Sequence, residues 1–334
     1  MSDPFVFDHK RLFNEPTMEQ HGSHMIIKNV QKPEKTKYLT IDTRFRDQYD
    51  TSLLANYNIT LPERVNSVKS MKAVSLEMPL SYNNISASLG NNSFQLTNTA
   101  HTDVIVLDDG LYPTEHTTDG LSPKITIKLG GSSVTGITIA LGADGKITFS
   151  NSSGIDVTIT FDNIDCTGGA APKGGLSQRE SLMSKLGWIL GFRLPSYTIP
   201  SAGTLKGEAI ADATGVPYFY LIVDEFKNSN PHSFLGLSRT SQLSSQQILA
   251  RITVDTSSYG VGMRAGAASL GGGDFGYGPQ IMAVGEGDNL NSDTRTYGEL
   301  VDIQKMNVRI VDQFGRIMNL NGLDFSFLLE LKHE

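Results

Sequence analysis

The side chains of this sequence that could ligate a metal or move a proton are seven histidines, one cysteine and a scatter of carboxylates. Metal sites draw on short fixed spacings such as H-E-x-x-H, and His9, His21, His24, His101, His116, His232 and His333 show none of them. Only His116 has carboxylates close by, at Asp109, Glu115 and Asp119. Asp108-Asp109-Gly110 and Asp119-Gly120 are ordinary turn residues, so a solvated turn accounts for that group without acid–base chemistry. The glycines at 260, 262 and 266 suggest a dinucleotide fingerprint, but the third falls one place late and no βαβ pattern surrounds it. Asp274-Phe275-Gly276 repeats a kinase triplet without its catalytic loop or lysine strand. Neither a G-x-x-x-x-G-K-[ST] phosphate loop nor a G-x-S-x-G nucleophile elbow is present. The expectation is a non-enzymatic chain with no catalytic residues, cofactor or metal.

One charged cluster remains. Asp42-Thr43-Arg44-Phe45-Arg46-Asp47 follows a short strand pattern. Asp42, Arg44, Arg46 and Asp47 could form an intramolecular ion-pair network at the strand end, since surface pairs are common and individually weak. That reading carries most of the weight, and the other, contact with a second chain, makes them the candidate assembly contacts.

The elements that must position this cluster are strands. Met306, Val308 and Ile310 alternate with Lys305, Asn307 and Arg309, the period of two of a half-buried strand. After breakers at Asp312-Gln313-Phe314-Gly315 and Asn319-Leu320-Asn321-Gly322, Phe325, Phe327, Leu329 and Leu331 resume it. Upstream, Tyr38 to Thr43 and Tyr57 to Leu61 read as strands, the second stopped by Pro62. Val68 to Met78, Tyr218 to Phe226, Ile248 to Val254 and Ile281 to Val284 bring the number to eight, the strand count of a single jelly-roll β-sandwich.

Between Asn83 and Gly215 the texture shifts to Gly, Ser, Thr and Asp, which reads as a β-rich insertion domain. Its expected strands are 104–107, 125–129, 137–141, 147–149 and 157–161, with an Asp-Gly hairpin turn at 143–146. It also carries one short helix. Ser177 to Glu180 has capping-box spacing, Leu182, Met183 and Leu186 share a face, and Gly187 can close the end. Trp188 then serves as a hydrophobic anchor. The division is an extended arm over 1–37, a jelly roll from 38–82 and 216–334, and the insertion at 83–215. Gly22-Ser23-His24-Met25 matches the scar of a cleaved tag, so the arm is in part tag-derived or wholly native.

At 334 residues, with 39% hydrophobic and 19% charged residues, the composition is globular. The 33 glycines and 13 prolines fit many strands joined by turns. The net charge of −7 provides no overall positive field for a nucleic-acid backbone, so direct DNA or RNA binding is not expected. Cys166 alone excludes an internal disulfide and fits a reducing compartment. No apolar run approaches the roughly 20 residues of a transmembrane helix, and no signal-peptide plan opens the chain. The N-x-[ST] triplets at Asn58, Asn84, Asn91 and Asn151 then read as turn or strand residues.

The stretches 38–48 (YLTIDTRFRDQ), 57–85 (YNITLPERVNSVKSMKAVSLEMPLSYNNI), Asn91-Asn92-Ser93-Phe94, the LGWILGF run and 301–331 resemble minor capsid and vertex (penton-like) structural proteins of the nucleocytoplasmic large DNA viruses. They cover about a third of the chain and are strand and turn patterns. The resemblance implies a virion capsid component made in host cytoplasm, with a jelly roll whose insertion projects from the shell. Its implied partners are itself, as a pentamer, the major capsid protein and other minor capsid proteins. The alternative is a receptor- or carbohydrate-binding projection, with aromatic residues such as Tyr112 and Tyr197 forming the binding face.

Overall fold

The computed structural model describes residues 16–21, 24–29, 33–115, 117–161, 182–226, 247–254, 281–285 and 289–334. The chain is mainly β, with a curled antiparallel sheet that makes a jelly-roll-like sandwich. Its strands are β3 (Lys35–Asp42), β4 (Asn56–Pro79), β12 (Tyr218–Asp224), β13 (Ile248–Thr253), β14 (Ile281–Gly285), β15 (Leu290–Ser292), β16 (Arg295–Asp312) and β17 (Ser326–His333). They are ordered β15-β13-β12-β16-β4-β17-β3, and β14 also pairs with β4. Ser292 Oγ accepts from Ala73 N at 3.0 Å, which brings the β15 end of the sheet back onto β4. The alternation in the last two strands is realised: Met306, Val308, Ile310, Phe327, Leu329 and Leu331 are all fully buried.

The tally of eight sandwich strands hides two departures from expectation. Pro62 does not stop a strand. The segments expected at 57–61 and 68–78 are one strand, the 24-residue β4. Straight, it would span about 80 Å, longer than a sandwich of this size, so it has to bend. The bend lies at the proline: between Thr60↔Lys305 and Val65↔Ile303, residues 61–64 of β4 stand opposite only Gln304. A proline in such a bulge forfeits no ladder hydrogen bond. Ser67, at φ 56°, and the ion pair Arg64–Asp302 complete the bend. The eighth strand is instead β15, three residues long, for which no alternation was available.

The insertion holds β5 (Ser93–Thr97), β6 (Thr102–Val106), α1 (Leu121–Leu129), β7 (Ile137–Leu141), β8 (Ile147–Asn151), β9 (Val157–Thr160), α2 (Leu186–Ile189), β10 (Ser196–Ile199) and β11 (Thr204–Lys206). They form two sheets, β10-β9-β5-β6 and β11-β8-β7. The strand expected at 125–129 is helix. Leu121, Ile125 and Leu129, spaced by four, are its buried apolar residues, and the exposed Ile127 supplied the false alternation. The expected capping box, 177–180, lies outside the described residues. Leu182 and Met183 are helical, but Lys185 is extended (ψ 162°), so α2 is a separate turn. Gly187 does not close a helix. It lies inside α2 against Phe161, where an added Cβ would stand 2.3 Å from the ring. Gly191, at φ +93°, follows the C-cap and closes it.

The sandwich core combines residues from 41–82 and 216–331, and a second core lies wholly within 85–213. At the start of this second stretch the Asn84 Nδ2 donates to Tyr112 O (2.7 Å) and Ala213 O, and its Oδ1 accepts from Tyr112 N (2.8 Å), so the entry and the exit of the stretch are held side by side. In the N-terminal region the described residues include one antiparallel pair. β1 (Pro16–His21) pairs with β2 (His24–Asn29). Lys35 to Lys37, assigned to the arm from sequence, belong to β3 and pair with β17.

Candidate assembly surface

β3 lies at the end of the sheet order, paired with β17 on one side and with no described strand on the other. An edge strand of eight residues offers unpaired main-chain groups to another chain. Lys37 reaches Glu63 (3.3 Å), and the Tyr38 hydroxyl donates to Glu330 (3.3 Å). That carboxylate raises the phenol's pKa.

At the end of β3 the structure gathers Asp42, Arg44, Arg46 and Asp47, each with partners inside the chain. Asp42 accepts from Arg44 N (2.9 Å) and Arg44 Nε (3.0 Å), and these hydrogen bonds hold its carboxyl below the usual carboxylate range despite partial burial. Arg44 itself stays largely exposed. Asp47 accepts from Thr60 N (3.1 Å) and Thr60 Oγ1 (2.7 Å), which anchors the loop to β4.

Arg46 is different in kind, with only 6% of its side chain exposed. Its guanidinium donates to Thr43 O (2.9 Å), Tyr49 O (2.9 Å) and Ser52 Oγ (3.0 Å), pairs with Asp324 (3.4 Å) and lies 4.0 Å from the Tyr49 ring centroid. It is the peg around which residues 43–52 wrap. The positive φ of Gln48 (52°) completes the turn. Beneath the loop, burial pushes the Tyr57 phenol pKa far up, and its hydroxyl has no hydrogen-bond partner among the described residues.

The loop so fixed presents three large apolar side chains outward: Phe45 is 75% exposed, Leu53 61% and Tyr49 51%. Sequence reasoning picked out the charges and missed these. The available signal was their spacing of four, within a turn-rich charged stretch where a core residue has no reason to be. A rigid, apolar-tipped loop beside an open sheet edge is suited to protein contact.

His116, the glycine run 260–266 and Asp274–Gly276 lie outside the described residues. Among the described residues no three His, Cys, Asp or Glu side chains are grouped to hold a metal, and no helix is long and apolar enough to cross a membrane. Tyr112 and Tyr197, the aromatic residues expected to read a glycan, are half-buried against the insertion core. The Tyr197 hydroxyl accepts from Arg193 N and Leu194 N and donates to Glu208 (2.6 Å), so it is committed internally. Trp188 is half-buried with the Arg193 guanidinium 4.0 Å from its ring centroid.

No protein-family model matches the chain, and no curated protein matches it. Among solved structures it is similar to the mavirus penton protein, at 9% identity and a TM-score of 0.39, over 91% of this chain and 100% of the other. It is also similar to a chain of the Sputnik virophage structure solved by cryo-electron microscopy, at 13% identity and a TM-score of 0.33, over 90% of this chain and 98% of the other. At such values the function has to be argued from the chain's own residues.

Proposed function

We propose that this chain is a structural protein of an icosahedral virion shell, in a minor capsid or vertex position, and that it works by making interfaces rather than by catalysis. The observation that carries the proposal is the surface just described: an edge strand, β3, with no described strand on its outer side, running into a loop pegged by Arg46 with Phe45, Tyr49 and Leu53 exposed. The sequence resemblance at 38–48 covers most of β3, Phe45 and Arg46 and ends just before Tyr49. In this reading the sandwich of 38–82 and 216–334 is the mount, 83–215 projects from it, and neighbours are further copies, as a pentamer, or other capsid proteins. Of the four charged candidates Arg44 is the exposed contact, with Asp42 and Asp47 shaping the loop and Arg46 supporting it from within.

Two experiments test this. Cryo-electron microscopy of the virion with the chain traced should place it in the shell, at the five-fold axis for a vertex role or beneath the hexagonal lattice for a cementing role. Absence from particles ends both. Reversing charge at Arg44 together with Phe45→Ser should weaken association while the monomer stays folded. Reversal at Arg46 is no clean test, because it places an acid in a buried site built for a cation.

A further inference from the structure

We infer that a cavity at the foot of the insertion is a docking site for an acidic side chain of a protein partner, with Arg316 as the group that reads its carboxylate. The cavity has a volume of about 120 Å³ and lies between the turn 316–321, the segment 82–89 entering the insertion, and Val216 on the return. Arg316 is the only charged residue among those lining it. Its guanidinium is fixed rather than swinging. Nε donates to Asp312 (2.7 Å), Nη1 donates to Leu89 O (3.2 Å), and the Phe314 ring centroid lies 4.9 Å from Cζ. Asp312 is fully buried and also accepts from Phe314 N (2.9 Å) and Arg316 N (2.8 Å), so its lone pairs are well used within the turn.

Nη2 of Arg316 has no hydrogen-bond partner among the described residues, and 19% of the side chain is exposed. A held guanidinium with spare N–H groups in a half-shielded hollow favours a planar anion that accepts directed hydrogen bonds. Asn83, Ser88, Asn319 and Asn321 line the same hollow as a neutral polar rim, held by hydrogen bonds of Asn321 Nδ2 to Ser81 O and Asn83 Oδ1, of Asn321 N to Asn319 Oδ1 and between the Ser86 and Ser88 hydroxyls.

The size and walls choose among carboxylates. The volume suits one small group with its water rather than an extended ligand. Sugars are held largely by stacking on exposed aromatic faces, but Tyr82, the aromatic residue of the lining, is almost fully buried. Ile317 lies at the cavity 40% exposed and offers an apolar seat for the residue next to the acid. An Asp or Glu beside an aliphatic residue fits this arrangement. The inference deepens the assembly role, on which it rests only for the source of the peptide.

The test is NMR titration of the full chain, with the Ile317 and Met318 methyl signals as reporters and blocked acetyl-Glu-Ile-amide as probe at millimolar concentration. Saturable shifts are expected, weaker by roughly tenfold or more with acetyl-Gln-Ile-amide. Arg316→Gln should abolish them. Because that change leaves Asp312 buried without its cation and risks the fold, Asn319→Asp is the second variant. It keeps the acceptor for Asn321 N (3.0 Å) while adding a competing charge, and should weaken binding about tenfold. No saturable shift, equal binding of the Gln probe, equal binding of sulfate, or stronger binding of glucuronate would each overturn the proposal. Dipeptide binding by a chain that is absent from virions would uphold the site and remove only the assembly role.

Discussion

The two cores of this molecule are built in opposite ways. The sandwich joins distant parts of the chain: β4 pairs with β16 and β17, and β3 with β17, across more than two hundred residues. The insertion core comes from one continuous stretch and centres on aromatic rings, with Phe161 and Phe192 stacked at 5.1 Å and Phe94 and Phe149 edge-on at 5.8 Å. Long-range pairing is slow to form because loop closure precedes its reward, whereas local pairing is not so penalised. This difference predicts that the core of 85–213 forms before the sandwich core, which needs its C-terminal strand.

The largest expected effects break each core separately. Phe327→Ala in the sandwich and Phe149→Ala in the insertion should each cost about 3–5 kcal/mol. In calorimetry followed by hydrogen exchange, each should lower one transition and leave the other in place. A single transition that moves with both substitutions would show one cooperative unit and remove the comparison. Gly187→Ala drives a methyl into the Phe161 ring and should cost about 1–3 kcal/mol, confined to the insertion, as read by exchange at 186–192.

Arg46→Ala strips Thr43 O, Tyr49 O and Ser52 Oγ of a shared donor and should cost the sandwich about 1–3 kcal/mol, with faster proteolysis at 43–53 as the check. The smallest effect is at Asp42. Its folded pKa is depressed, so its contribution is present above the unfolded carboxylate value near about 4 and fades as pH falls through the lower folded value. Arg44→Gln should therefore lower stability slightly at neutral pH, and the difference from the parent chain should vanish as pH falls below the folded value, as followed by denaturant unfolding with circular dichroism at neutral and strongly acidic pH.

Legibility in the sequence followed how local each cause was. The last two strands were legible because one buried face imposes a period of two on neighbouring residues. The hairpin turn at Gly145 (φ +74°) was legible because Asp-Gly carries its conformation with it. The candidate surface was half legible. Its charges stood out, but the burial of Arg46 and the exposure of Phe45, Tyr49 and Leu53 depend on what packs beneath the loop. The buried roles of Asn84, Asn91 and Asn151 were hidden for the same reason: nothing in an N-x-[ST] triplet says that its amide will clamp main-chain groups such as Ile199 O, 48 residues away.

The sequence by itself determined a mainly β chain, a sandwich closed by its C-terminal strands, and a change of texture where a second core begins, because alternation, turn chemistry and composition act over a few residues. Only the tertiary structure decided that Pro62 lies within a strand, that 121–129 coils into a helix, and that Gly187 admits a phenyl ring. In each case the local preference was weak, and the face that other elements left to be covered outweighed it.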